Sequence, residues 1–128
     1  MNYTLTILLI LFLKLYSIQN YDKKLYGVWN LIISKEYYSR NTNEEYNKIA
    51  TYKIGEKVIE FKANGTVINY QENNKSEYLV TKKNIKISSN NGGIIESNYF
   101  FINDTLVIEN YEGNKLFKKL YIKEKLEF

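Results

Sequence analysis

Apolar positions along this chain recur mostly at every second residue, in short runs broken by Gly, Asn and Lys pairs. Leu25, Gly27, Trp29, Leu31 and Ile33 fall on one face of an extended segment and predict a first strand. Residues 34–48 carry no apolar stripe at either period and read as a long loop. Residues 49–54 alternate weakly before a turn at Gly55-Glu56-Lys57, and 58–62 place Ile59 and Phe61 on one face. Asn64-Gly65 then predicts a hairpin with a two-residue type I′ turn, in which both central residues need positive φ. Further strands are predicted at 66–70, 76–81, 85–87, 94–102, 105–111 and 116–123, with polar turns between them. Every predicted connection after Lys48 is short, and no crossover of a dozen residues is present. The fold class is therefore all-β, an antiparallel up-and-down meander of about eight strands. Closing it into a barrel removes its edges.

Residues 5–13 (Leu-Thr-Ile-Leu-Leu-Ile-Leu-Phe-Leu) form an apolar run of signal-peptide length, too short to span a bilayer. Lys14 interrupts it, and Ser17 offers a small residue near a cleavage point. The expected organisation is a signal peptide at 1–19 and one β-barrel domain at 20–128, with an extracytoplasmic location, periplasmic or secreted. An uncleaved anchor or a buried helix is the alternative reading of the leader.

Composition sharpens what this barrel can do. The 128 residues include 13 Tyr and 6 Phe but no Pro, Cys or His. Aromatic residues suit a pleated, half-buried surface. Without Cys the core holds without disulfides, and without His the usual general base and commonest transition-metal ligand are gone. The expectation is a non-enzymatic protein with no cofactor, no metal and no catalytic residues. Glu44, Glu45, Glu60, Glu96, Asp104 and Glu109 form no recognisable acid/base pair. Net charge is +4, and Arg40 is the only arginine, so a nucleic-acid partner is not expected. An oligonucleotide-binding barrel that stacks bases on Tyr or Phe is a minor alternative. Asn64-Gly65-Thr66, Asn74-Lys75-Ser76 and Asn103-Asp104-Thr105 fit the N-glycosylation pattern, which turn preference for Asn also explains.

Four segments carry a resemblance: residues 25–31 (Leu-Tyr-Gly-Val-Trp-Asn-Leu), 59–66 (Ile-Glu-Phe-Lys-Ala-Asn-Gly-Thr), 78–80 with 84–87, and 103–108. Together the arrangement resembles the lipocalin-like domains of small exported bacterial proteins, a calycin-like barrel. The resemblance implies that Gly27 keeps the chain entry close-packed and that Trp29 closes the base of the barrel. The family's arginine over that tryptophan is missing here, with Lys118, Lys119 or Lys123 available in the last strand.

The resemblance implies a binding role, and two groups of residues are candidates for it. Tyr37, Tyr38, Arg40 and Tyr46 lie in or beside the long loop, where a lid over the barrel mouth would sit. Phe61, Tyr70, Tyr78, Tyr99 and Phe101 face inward by alternation, as core packing or as a cavity wall. The expected function is binding of a small apolar or amphipathic ligand. The alternative is a filled barrel serving as a cell-envelope interaction or structural module, with a protein partner.

Overall fold

A computed structural model of the chain describes residues 22–38, 48–89 and 92–125. The leader therefore lies outside the described residues, as do Arg40 and Tyr46. The described residues hold nine strands: β1 (Gly27–Tyr38), β2 (Lys48–Thr51), β3 (Val58–Phe61), β4 (Thr66–Asn69), β5 (Asn74–Thr81), β6 (Asn84–Ser88), β7 (Ile94–Ile102), β8 (Thr105–Glu112) and β9 (Lys115–Lys123). All pairings are antiparallel, and β3 to β9 follow one another as a meander. β9 returns to pair with β1 from Trp29↔Lys123 to Tyr38↔Lys115, with a bulge between Leu31 and Ile33. β1 pairs with β3 in turn, so eight strands close into a barrel and β2 is extra. Among the described residues no helix is long and apolar enough to cross a membrane.

The long loop expected at 34–48 is corrected by β1, which runs on to Tyr38. Its upper half has neighbours on both edges: β9 on one, and on the other β2, with Ile33↔Thr51 to Glu36↔Lys48. Residues 34–38 show no apolar stripe because their inward positions face the open mouth, where polar groups remain hydrated. Backbone pairing holds the strand without an apolar face.

β3 and β2 thus share one edge of β1 end to end. The turn joining them is fastened by Asn30, a buried amide whose Oδ1 accepts from the Gly55 N–H at 2.9 Å. A buried polar side chain needs such a partner, and here the partner fixes where β2 ends. β4 pairs with β3 but not with β2, which leaves a side window in the wall between β2 and β4.

The turn at Asn64-Gly65 also differs from expectation. Gly65 alone takes a positive φ, of 88°, while the Gly65 N–H donates to the Lys62 carbonyl and the Lys62 N–H to the Thr66 carbonyl. This is a three-residue loop with glycine in the left-handed position. Asn64 contributes by accepting the Thr66 N–H on Oδ1 at 3.1 Å.

The core fills one end of the barrel, the base, where the turns at 63–65, 82–83 and 103–104 gather. Bulky side chains meet there: Trp29, Phe61, Tyr78, Ile85, Tyr99 and Leu106. A 3-10 turn, Lys23–Leu25, follows Asp22 and inserts the fully buried Leu25 into this end.

Candidate functional site

Several strands that bring a large side chain to the base carry smaller or more polar ones above it. β5 steps from Tyr78 to Ser76 to Asn74, β7 from Tyr99 to Ser97, and β8 from Leu106 to Ile108 to Asn110 to Glu112. Inward positions two residues apart lie on one face, so this gradient empties the upper barrel. The result is a cavity of about 410 Å³ opening at the mouth. Its floor is apolar, formed by Phe61, Val67, Ile87 and Ile108, while toward the rim Asn69, Glu72, Asn74, Asn110 and Glu112 stand beside Phe117, the partner of Asn110 in register, and half-exposed Ile95 near the start of β7. That volume falls within the roughly 300–1,000 Å³ of small-molecule sites. The side window opens a second hollow of about 310 Å³ that shares Ile59, Asn69, Glu72, Phe117, Lys119 and Tyr121 with the cavity. A hollow of about 510 Å³ beside Thr66, Glu77, Ser88 and Ile94 lies on the outward face of β4 to β7 and is separate from the interior.

β9 supplies the cationic part of the cavity wall. Tyr121 is buried in the core, and Lys119, Phe117 and Lys115 follow it on the same face. At the rim Lys115 bridges Glu36 at 2.9 Å and stands opposite Glu112. The hydrogen bond and charge of Glu36 push the Lys115 pKa up. Lys119 lies two inward positions deeper, below Phe117. Its partners in register, Ser34 and Ile108, are neutral, as are Phe117 and Tyr121 on either side along β9.

Two buried tyrosines give the barrel a pH signature. Burial first, then its hydrogen bond to Asp22 (2.8 Å), raises the Tyr99 hydroxyl well above its ordinary 10.0. Burial, with the neighbouring Tyr52, does the same for Tyr121. Unfolded tyrosines ionise near pH 10 while these two stay protonated, so the unfolded state holds fewer protons above that pH. Stability is then complete below about pH 10 and falls as pH rises beyond it. Urea midpoints across pH 8–11 are expected to drop above about pH 10, and Tyr99→Phe or Tyr121→Phe should flatten that drop.

The residues singled out from sequence divide into distinct places. Phe61 lies at the cavity floor, edge-to-face with Tyr78 at 5.0 Å. Tyr78 is spent in the base, its hydroxyl donating to the Lys62 carbonyl at 2.7 Å. Tyr99 and Phe101 pack edge-to-face at 6.1 Å, and Phe101 lies 6.1 Å from Trp29. Tyr70 is a correction. β4 ends at Asn69, and Tyr70 lies beyond it on the outward side, 48% exposed, donating to Glu60 Oε1. Tyr37 and Tyr38 stand on β1 rather than in a loop, and period two sends them to opposite faces: Tyr37 faces outward opposite Leu116. Tyr38 is at the inner rim beneath the Lys115 ammonium.

Gly27 and Trp29 meet at the base with Lys123. The Trp29 ring is buried, its Nε1–H donates to the Leu25 carbonyl at 2.8 Å, and the Lys123 ammonium lies 5.6 Å from its ring centroid. Of the three lysines open to that position in the sequence, Lys123 occupies it. Gly27 has φ +129°, and a Cβ there would come within 2.7 Å of Lys123 Cε.

Ile108, Ile87, Phe117 and Lys119 were missed as site residues. The signal was present in Phe117-Lys118-Lys119-Leu120-Tyr121, where alternation places Lys119 between two aromatic residues on one face. Among the described residues no group of three or more Asp or Glu side chains is placed to hold a metal ion. The cavity walls offer apolar contact area, amide and hydroxyl hydrogen bonds, and the Lys119 ammonium. Compared with protein-family models, curated proteins and solved structures, this chain matches none.

Proposed function

We propose that this chain is an exported, non-enzymatic, lipocalin-like carrier that holds a small amphipathic molecule inside its barrel. The cavity of about 410 Å³, apolar in its depth and polar at its rim, carries this reading. Such a pocket gains affinity from apolar area, at about 25 cal/mol per Å² removed from water, and orientation from a few polar groups. The apolar run at 5–13 supports export, and the Gly27–Trp29 base with Lys123 over the ring supports the lipocalin-like relation.

Native mass spectrometry of the full chain after exposure to a lipid extract is the direct test. A discrete added mass that is lost on denaturation is expected. In Ile108→Trp the larger side chain fills the cavity, and the added mass should fall by roughly tenfold or more at equal ligand. Equal native and denatured masses for the wild-type chain would overturn the carrier reading.

A further inference from the structure

Lys119 is the feature that the carrier reading leaves unused. Its side chain is part-buried and lines both the cavity and the side window, so it sits where the two spaces join. A lysine in a barrel wall ordinarily turns its ammonium to bulk water or to a carboxylate. Here the four nearest wall positions, Ser34, Ile108, Phe117 and Tyr121, are all neutral. No ion pair engages Lys119 among the described residues, whereas Lys115 at the rim pairs with Glu36 and outward Lys118 pairs with Glu109 at 3.8 Å. The other lysines of β9 thus have partners or aromatic faces: Lys123 stacks on Trp29.

Resting on that carrier reading, we propose that Lys119 is the headgroup site of the cavity and that the ligand is an anionic amphiphile, a carboxylate bearing a medium-length alkyl chain. Of the apolar side chains that would take the chain, Val67 and Ile87 belong to β4 and β6, on the far side of the barrel from β9, and Phe61 lies at the floor on β3. The headgroup would therefore lie against β9 and the tail against the opposite wall. Ser34 and Asn69, which line the window beside Lys119, add neutral hydrogen-bonding groups to the same point. Glu72 lines both spaces from the β4–β5 turn and Glu112 faces Lys115 at the rim. Glu112 disfavours an anion at the rim; Glu72 borders the same two spaces as Lys119, but among the described residues Lys119 is the one cation lining the cavity, so it is the position suited to an anion. A charge-assisted hydrogen bond in a part-dry cavity is among the stronger single polar contacts available to a ligand.

Displacement of the neutral fluorophore N-phenyl-1-naphthylamine from the full chain tests the assignment, with dodecanoate, dodecanol and dodecyltrimethylammonium as competitors of equal chain length. Dodecanoate is expected to compete at roughly tenfold lower concentration than dodecanol, with the cation weakest. Lys119→Met should bring dodecanoate to within about twofold of dodecanol, and Lys119→Arg should keep most of the preference. Circular dichroism of both variants checks the fold. Equal competition by dodecanoate and dodecanol, or a preference untouched in Lys119→Met, would overturn the headgroup assignment and leave the carrier reading standing. Failure of the fluorophore and all three competitors to bind would overturn both.

Discussion

Replacing Trp29 by alanine is expected to destabilise the barrel by about 3–5 kcal/mol, the range for emptying a buried large aromatic site. Trp29 is 2% exposed, and three contacts depend on it: Leu25, Phe101 and Lys123. Losing the indole removes the donor to the Leu25 carbonyl, so the 3-10 turn that plugs the base loses its tie to β1. Phe101 loses a ring neighbour, and the Lys123 ammonium loses the face it covers. Domains of this size are typically stable by only about 5–15 kcal/mol, so the variant should be marginal at room temperature. Urea unfolding followed by tyrosine fluorescence measures the change, with Trp29→Phe expected to recover part of it. A loss under about 1 kcal/mol would mean that the base is not closed by this side chain.

Gly27→Ala is the second substitution with a large expected effect, and its two causes can be separated. The first is backbone: φ +129° is a region that residues with a Cβ avoid, and holding one there costs on the order of 1–3 kcal/mol. The second is contact, since the new Cβ would meet Lys123 Cε at 2.7 Å. A lysine terminus swings aside cheaply, losing mainly its cation–π contact with Trp29, worth about 0.5–1 kcal/mol at an exposed site. Backbone strain should therefore dominate. Measured in a Lys123→Ala background, Gly27→Ala is expected to keep most of its destabilisation. Recovery of nearly all of it there would show that crowding, not φ, is what demands glycine.

The strands were legible in the sequence where one face is apolar and the other wet. β7 was expected at 94–102 and found at Ile94–Ile102, and β3, β8 and β9 lie within a residue or so of expectation at either end. Alternation failed on β1 beyond Ser34, because a strand lining a hydrated mouth has no apolar face to display. It failed at Tyr70 by one residue of phase: Val67 and Asn69 line the cavity, so period two turns Tyr70 outward, and both phases of this stretch look alike in a single sequence. The candidate site was read from aromatic residues, yet Tyr78, Tyr99 and Phe101 are large enough to fill the base and so pack there. The cavity arises instead where side chains shrink, at Ser76, Ser97 and Asn110, and an emptied volume leaves its trace in small residues rather than in conspicuous ones. Lys119 carried a legible position but an unremarkable identity, since exposed lysines are the norm.

Closure of this cylinder joins the first strand to the last. Trp29 finds its partner at Lys123 and Tyr38 at Lys115, so every other strand of the barrel must exist before β1 can be zipped on that side. Contacts of such long sequence separation slow folding, because the loop they enclose must be ordered before they repay it. During synthesis the seven strands after β2 can meander in order, but the seam waits for β9. A chain cut short of Lys115 would leave two ladders raw at once, on β1 and on β8, and exposed strand edges recruit other chains. Copies without β9 would therefore be diverted to aggregation or degradation instead of accumulating as half-built barrels.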